Sequence, residues 1–186
     1  MLTDADAAAL GTCVAAGGVA VFPADTVYGL ACDPENADAV AKLYALKGRP
    51  PEKPAAVMFF DLSIGTFGGL LPGGVTLLLP NPERRFPLAC TGDPETLGVR
   101  VPFLAPVGRP VLQSSANLAG GPDAKRVDEV PASIRAGADL VIDGGELPGI
   151  ASTVIDLRTP EWRIVRAGAV PAQRVEEAHR AAGGNL

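Results

Sequence analysis

The stretch PADTVYGLACDPENADAVAKLYALKGRPPEK, residues 23–53, has the clearest structural signals in the sequence. It follows four apolar residues, 19–22, which are typical of a strand that is buried on both faces. The residues after this strand are predicted to form a loop, 23–36, which carries Thr26 and Tyr28. A helix comes next, so the stretch indicates a sheet with a helix packed against it.

That helix has a start signal and a stop signal. Asn36 can cap its first turn, and Gly48 with the prolines after it ends it. The run 47–50, Lys-Gly-Arg-Pro, is expected to be exposed. Because positions i and i+2 of an extended chain project to the same side, Lys47 and Arg49 would lie together and suit a polyphosphate. A solvated turn after a helix is the alternative interpretation.

The charge of this region is opposite to that of the whole chain. Residues 42–53 contain four basic side chains and one acidic one, a local charge of 4 − 1 = +3. The whole chain has 16 basic and 21 acidic residues, a net charge of −5. Such a reversal indicates a site for an anion. The overall acidity argues against sequence-independent binding to long nucleic acids, which requires an extended basic face.

Composition predicts a folded cytoplasmic protein. The chain has 186 residues, 47% of them hydrophobic and 20% charged, which favours one domain with a proper core. Its three cysteines are widely spaced and contain no C-x-x-C pair, so neither a disulfide framework nor a zinc site is indicated. No leader pattern and no apolar run of about 18 residues occurs, so we expect a reducing cytoplasm and no membrane span.

The remaining elements alternate irregularly. Thr3 and Asp6 resemble a capping box at the start of a helix that ends before the glycines at 17 and 18. Strands that follow one another directly, as well as strands separated by helices, indicate an α+β fold: a mixed twisted sheet flanked by helices. The predicted strands are 55–60, 75–79, 97–101, 111–113, 140–142 and the hairpin 152–157 with 162–165; the later helices are 131–136 and 171–182.

Polar residues at strand ends and inside one strand are candidates for a site. Arg100 interrupts an apolar strand, so it must pair with a carboxylate or face a cavity. Ser114 and Asn117 follow another strand, where ligands commonly bind, although ordinary turn chemistry explains them equally well. Ser152 opens a strand and is a further candidate, or simply a strand start.

Several reaction classes lack their residues. The only histidine, His179, lies in the predicted C-terminal helix, so a Ser–His nucleophile is not indicated. No His, Cys and carboxylate cluster has metal-ligand spacing, and Asp143 with Glu146 is a weak candidate for Mg²⁺. Hydroxyls and cations without a clear base indicate positioning and charge neutralisation, as in phosphoryl or nucleotidyl transfer.

Seven ordered segments resemble the YrdC domain family, the threonylcarbamoyl-AMP synthases of tRNA modification. They cover nearly the whole chain between Gly18 and Val170. The segments are PADTVYGL (23–30), KGRPPEKP (47–54), PGGVTLLLP (72–80), LGVRVP (97–102), PVLQSSANLAGG (110–121), DGGELPGIASTVIDL (143–157) and IVRAGAV (164–170). The resemblance implies a single YrdC-like domain, 1–186, with a core at about 18–170, a C-terminal helix at 171–182 and a concave, positively lined cavity.

The resemblance also implies an activity. The family makes threonylcarbamoyl-AMP and pyrophosphate from L-threonine, bicarbonate and ATP, and Mg²⁺ accompanies the ATP. The product supplies the N6-threonylcarbamoyl group of adenosine 37 in tRNAs that read ANN codons. The chain is therefore expected to be a nucleotidyltransferase whose further partners are a tRNA or the transferase that uses the product.

Roles carried over from the family are assigned residue by residue. The threonine site would consist of Thr26, Tyr28 and Arg100, the last binding the carboxylate or a phosphate. The catalytic pair that holds the ATP phosphates would be Lys47 and Arg49. Other nucleotide-binding residues would be Ser114, Asn117, Ser152 and Arg166. No metal-binding residue is assigned.

The chain departs from the family pattern in three places. Residues 61–71 and 103–107 are shorter than the helical segments that the family usually has there, which would leave sheet surface uncovered. Met58 stands where many members have a histidine. Two alternatives therefore remain open: a non-catalytic relative that binds nucleotide or RNA, and the carbamoyl-adenylate chemistry of the YrdC-like domain of hydrogenase maturation proteins.

Overall fold

One mixed sheet organises the fold. The computed structural model describes residues 2–183, and within them nine strands pair in the order β7-β1-β2-β6-β3-β5-β4-β8-β9. The α+β prediction is confirmed. The strands are β1 Ala20–Pro23, β2 Tyr28–Cys32, β3 Ala56–Met58, β4 Val75–Pro80, β5 Thr96–Arg100, β6 Val111–Ser115, β7 Leu140–Val141, β8 Thr153–Asp156 and β9 Arg163–Arg166.

Four α-helices flank the sheet. They are α1 Asp4–Ala15, α2 Ala37–Lys47, α3 Ala132–Gly137 and α4 Ala172–Ala181. Between residues 2 and 183, none has the length and apolar character needed to cross a bilayer.

The predicted helix caps are present. The Asp6 backbone N–H donates to the Thr3 hydroxyl at 3.2 Å, and the Thr3 N–H donates to the Asp6 carboxylate at 3.0 Å. At the start of α2, the Ala39 N–H donates to the Asn36 side chain at 3.0 Å. This helix ends at Gly48, whose φ of 58° lies in the left-handed region that glycine adopts without strain.

The loop prediction for residues 23–36 is wrong in its central part. Residues 28–32 form β2, which pairs antiparallel with both β1 and β6 and is buried at every position. A short apolar run with a glycine inside it and proline and aspartate nearby has a weak local strand signal, and tertiary pairing overrides it. Similarly, Ser114 and Ser115 belong to β6 and not to the loop after it.

The two faces of the sheet are covered to different extents. Helices α2, α3 and α4 pack on one face, over strand residues such as Val57, Val99 and Leu112. On the other face α1 packs over Phe22 and Met58. Helix α1 contacts the β1 side of the sheet, so no helix formed by residues 2–183 covers the same face of β4, β5 and β8. A cavity occupies that place.

The two shortened segments lie as loops against the core. Leu70 and Leu71 are buried in the larger core, and Val107 joins the smaller core beneath α1. Leu62 and Phe103 stay exposed at 43% and 68%. The loops therefore fill the interior where the family's helices were expected, but they leave apolar side chains at the surface.

Candidate active site

The cavity lies on the same sheet face as α1, over the part of that face that none of the described helices covers, and has a volume of about 310 Å³. Its floor is formed by short or polar residues of the central strands, including Ala56, Gly98 and Thr76. Small side chains at these positions leave the space that larger core residues would fill. The cavity is thus built into the sheet itself.

Arginines dominate the charged lining. The lining contains four arginines and two aspartates, a formal charge of 4 − 2 = +2, although Asp25 and Asp156, which are not lining residues, also pair with two of these arginines. This contrasts with the net charge of −5 for the whole chain. Guanidinium groups bind carboxylates and phosphates through paired N–H donors, so the lining is suited to anions. The arginines are Arg49, Arg100, Arg158 and Arg166, and the aspartates are Asp93 and Asp123.

Arg100 is the most deeply buried of these cations, with 3% of its surface exposed. One terminal nitrogen, Nη2, donates to Asp25 Oδ1 at 2.5 Å and to Thr26 Oγ1 at 3.3 Å. The other, Nη1, donates to Gln113 Oε1 at 3.2 Å. Arg100 therefore both pairs with a carboxylate and faces a cavity.

Burial acts on both members of this ion pair. It lowers the pKa of Arg100 and raises the pKa of Asp25, and in each case the charge of the partner opposes the shift. Arginine starts from so high a pKa that it stays protonated. Arg100 therefore keeps its positive charge at the base of the cavity, and Asp25 offsets that charge when its carboxyl group is ionised.

The expectation that Lys47 is exposed beside Arg49 is wrong. Lys47 is 2% exposed and does not line the cavity. Its ammonium donates to the Ser115 carbonyl, to the Asn117 carbonyl at 2.8 Å and to Asn117 Oδ1 at 2.9 Å. The backbone at these positions is helical and then left-handed at Gly48, not extended, so the i and i+2 rule does not apply.

The environment of Lys47 lowers its pKa to about 8, mainly through burial and secondarily through the nearby charge of Arg49. No carboxylate pairs with it directly among residues 2–183; its acceptors are neutral oxygens. Its contacts tie the end of α2 to the turn after β6. The structure thus makes Lys47 a clamp on residues 115–117.

Arg49 does enter the cavity. Its guanidinium donates to the Pro54 carbonyl at 2.6 Å and lies 5.7 Å from the centre of the Tyr44 ring. A carbonyl bond and a stacking contact hold the side chain without neutralising it. Arg49 therefore presents a full positive charge to whatever binds there.

The serine–asparagine segment is divided between the cavity and the protein interior. Ser114 and Ser115 line the cavity. Asn117 is 8% exposed and turns away: its amide donates to the Gly121 carbonyl at 2.6 Å, and its oxygen accepts from the Ser115 hydroxyl at 2.7 Å. Asn117 accordingly holds the loop after β6 in place.

Of the two residues in the first loop that were predicted to contact threonine, only one lines the cavity. Thr26 lines the cavity. Tyr28 is fully buried in β2, where its hydroxyl donates to the Gly145 carbonyl and accepts from the Gly144 N–H, both at 2.9 Å. Tyr28 therefore fastens the 143–145 loop, and the structure does not place it in the cavity lining.

Ser152 and Arg166 form one side of the cavity. The Arg166 guanidinium donates to the Ser152 carbonyl at 2.9 Å and to its hydroxyl at 3.2 Å. The Ser152 hydroxyl is also 2.8 Å from the Thr76 hydroxyl. These bonds join β9 to the start of β8 and to β4, so the predicted nucleotide residues lie together on this wall.

Sequence reasoning missed several polar lining residues, four of which matter most for the site. Asp93, Thr96 and Arg158 form the end of the cavity, where Arg158 donates to Thr96 at 2.9 Å and to Asp93 at 3.2 Å. Gln113 lies on β6. The period-2 alternation of strands places Thr96 on the face of Arg100, and that signal was available in the sequence. Arg158 had no such signal because its position depends on a turn after β8.

Comparisons with known proteins identify the family of the chain. The sequence model of the Sua5_yciO_yrdC family, described as "Telomere recombination", matches residues 12–168. The chain is 31% identical over 180 residues to the threonylcarbamoyl-AMP synthase of Bacillus subtilis (strain 168), covering 85% of this chain and 52% of that protein. It is 34% identical over 180 residues to the threonylcarbamoyl-AMP synthase of Xanthomonas campestris pv. campestris (strain B100), covering 84% and 94%.

A solved structure is similar as well. The crystal structure of P. abyssi Sua5 complexed with L-threonine superposes with a TM-score of 0.82 at 26% identity, over 95% of this chain and 58% of that one. The chain thus spans about half the length of the first curated relatives that it matches.

Proposed function

Since this chain belongs to the Sua5/YciO/YrdC family, we propose that it makes threonylcarbamoyl-AMP and pyrophosphate from L-threonine, bicarbonate and ATP. The observation that carries the proposal is the single cavity in which Thr26 and Arg100 lie with Arg49, Ser114 and Arg166. Curated relatives bear the name of this synthase, and one similar structure contains L-threonine, which supports the same reading.

The chemistry brings two anions together. The threonine ammonium group loses a proton, and the resulting amine combines with bicarbonate to give a carbamate anion and water. A carbamate oxygen then attacks the α-phosphorus of ATP, and the bond to the leaving pyrophosphate breaks. Because carbamate and triphosphate repel each other, alignment and opposite charge are what the protein must supply.

The lining supplies both. Arg100, fixed by Asp25 and Thr26, would bind the amino acid at the base of the cavity. Arg49 and Arg166 would bind phosphate oxygens nearer the mouth, since their half-buried or exposed guanidiniums are not neutralised by carboxylates among the described residues. This division separates the two anions until they react.

Three of the predicted site residues would act indirectly, by holding loops in place: Lys47, Asn117 and Tyr28. Each holds a loop beside the cavity and none lines it. We assign Lys47 and Asn117 to positioning the serines of β6, which would contact the nucleotide. Tyr28 would position the 143–145 loop.

Magnesium would arrive with ATP as part of the substrate. Mg²⁺ bound to a nucleotide usually takes one or two protein carboxylates and completes its shell with phosphates and water. The cavity offers Asp93 and Asp123, and Asp93 is already bonded to Arg158. Within the described residues there is no group of three or more metal-binding side chains, so a resident metal site is not part of the proposal.

The further expectations concern the cell. We propose that the product supplies the N6-threonylcarbamoyl group of adenosine 37 in ANN-reading tRNAs, in the cytoplasm, with a tRNA or a transferase as the next partner. These steps follow from the proposed product.

Pyrophosphate release from ATP tests the function. Release that requires both L-threonine and bicarbonate, with threonylcarbamoyl-AMP identified by mass spectrometry, is expected. ATP binding without pyrophosphate release would overturn the proposal and favour a nucleotide-binding relative. Salt-sensitive RNA binding in the absence of turnover would point the same way.

A further inference from the structure

Gln113 is a buried polar residue that no part of the assignment above uses. It is 5% exposed, lies on β6 and lines the cavity. Its neighbours across the sheet are Ala31 on β2 and Ala56 on β3. Both are small, so the longer glutamine side chain has room on the cavity face.

The orientation of its amide is set by chemistry. Arg100 Nη1 donates to Gln113 Oε1 at 3.2 Å. A guanidinium can only donate hydrogen bonds, so the amide oxygen must face Arg100 and the amide nitrogen, Nε2, must point elsewhere. Across residues 2–183, no group accepts a hydrogen bond from Nε2, and this atom is not sealed off from solvent. The cavity therefore receives two N–H donors from Gln113.

The neighbouring strand is built around this amide. A Cβ atom added at Gly29 on β2 would lie 2.9 Å from Gln113 Nε2 and 2.9 Å from the ring of Phe22. Any larger residue at position 29 would therefore displace the amide. Glycine here leaves Gln113 in one place, between Arg100 and β2.

Arg100 by itself is an incomplete site for a carboxylate. Its Nη2 is already bonded to Asp25 and Thr26, and Asp25 offsets its charge. What remains on the cavity side is Nη1, next to the amide of Gln113. A carboxylate has two adjacent oxygens and binds best to two adjacent donors.

We propose that Gln113 Nε2 and Arg100 Nη1 together bind the carboxylate of the amino-acid substrate, and that Gln113 sets the preference for a substrate that carries this group. The inference rests on the proposed function, which supplies the amino acid. Gln113 is then a specificity-determining residue: it adds a neutral donor where a second cation would have competed for Asp25.

The test compares two ligands in two proteins. L-threonine and L-threoninol, in which a hydroxymethyl group replaces the carboxylate, are titrated by calorimetry into the full chain and into Gln113→Ala. The variant is expected to lose roughly tenfold in affinity for L-threonine, the effect of one hydrogen bond to a charged group. Its affinity for L-threoninol and for ATP is expected to stay unchanged. Gln113→Glu, which keeps the size but replaces the donor by a negative charge, should lose more.

The controls separate the outcomes. Gln173→Ala removes the only other glutamine, which is exposed on α4, and should change no affinity. Equal losses for L-threonine and L-threoninol, or an unchanged L-threonine affinity in both Gln113 variants, would overturn the inference. If the unaltered chain binds no L-threonine, the inference and the proposed function fail together. If it releases pyrophosphate normally and Gln113→Ala keeps its L-threonine affinity, only the inference fails.

Discussion

Lys47 and Arg100 are both buried cations, but they serve different regions of the molecule. Lys47 is 2% exposed, contacts only neutral oxygens and holds the turn after β6 from outside the cavity. Arg100 is 3% exposed, pairs with Asp25 and faces the cavity. Burial alone therefore does not tell a binding residue from a positioning residue. The partners of the charge and the direction of its free donors do.

The largest effect is expected at the Arg100 pair. Arg100→Met leaves Asp25 buried without a counter-charge, which should lower the free energy of unfolding by about 3–5 kcal/mol and abolish threonine binding. Arg100→Met with Asp25→Asn removes both charges and should recover most of that stability without recovering binding. Urea unfolding and calorimetry measure the two effects. Recovery of binding in the double variant would contradict the role of Arg100.

The next largest effects are expected at Lys47 and Arg49. Replacing Lys47 should lower both stability and turnover, whereas replacing Arg49 should lower turnover alone. Lys47→Met removes the ammonium that donates to the Ser115 and Asn117 oxygens, so we expect a stability loss of about 1–3 kcal/mol together with turnover reduced roughly 10²-fold. Arg49→Ala should reduce turnover by a similar factor, roughly 10²-fold, with little change in stability, because it makes one bond to a carbonyl at the cavity edge. Pyrophosphate release and urea unfolding are the measurements. Near-normal turnover in both variants would refute both assignments.

A smaller effect is expected when the ATP affinity is measured as a function of pH. Burial lowers the pKa of Lys47 to about 8, whereas an unfolded lysine titrates near 10.4. Raising the pH through 8 deprotonates the Lys47 ammonium and weakens its hydrogen bonds to Ser115 and Asn117. The ATP affinity should therefore fall about fivefold between pH 7 and pH 9.

The effect of Lys47 on folding stability changes with pH in the direction opposite to its effect on ATP affinity. Between pH 8 and about 10.4 the unfolded state binds more protons than the folded state, so this group adds stability as the pH rises. ATP titrations and urea unfolding at each pH, with Lys47→Met as the control that lacks both trends, check the prediction. A parallel fall of affinity and stability that persists in the control would assign the effect to another group.

The smallest effect is expected at the far end of the cavity. Arg158 is held by two bonds of 2.8 Å to Asp156, a buried carboxylate that also binds Arg163. Arg158→Lys keeps the charge but loses the paired donors, so the KM for ATP should rise by about threefold while kcat stays constant. Steady-state kinetics measure this. A change in kcat without a change in KM would argue that the end wall does more than shape the nucleotide site.

Local signals in the sequence predicted the helices well. The Thr3 and Asn36 caps and the Gly48 stop are properties of adjacent residues, and all three are present. The sequence analysis did not predict β2 or the burial of Lys47, and the reason is the same for both. Both depend on which distant segment packs alongside: β6 pairs with β2, and the oxygens after β6 reach Lys47. Local patterns in a single sequence do not reveal which distant segments pair.

The residues of the candidate site also differ in whether local sequence signals could predict them. Arg100 could be predicted because a cation inside an apolar strand is unusual by itself. Gln113 could not, since a polar residue at a strand end is ordinary until Arg100 and Gly29 are seen beside it. Tyr28 was assigned from the family resemblance, and Asn117 from its position after a strand as well as from the resemblance. In the structure both side chains bind loops and neither lines the cavity.

The parallel pairing of β4 with β8 has a consequence for how the protein is made. It joins Val75 to Thr153, so segments 78 residues apart in the chain must meet before Ser152 and Arg166 reach the cavity. Pairings of such long range form slowly, because the loop between them must first be closed. During synthesis the strands that form the floor emerge before this wall, and a nascent chain shorter than about residue 166 has only part of its ligand site. The complete lining of the cavity therefore exists only after the hairpin of β8 and β9 has left the ribosome.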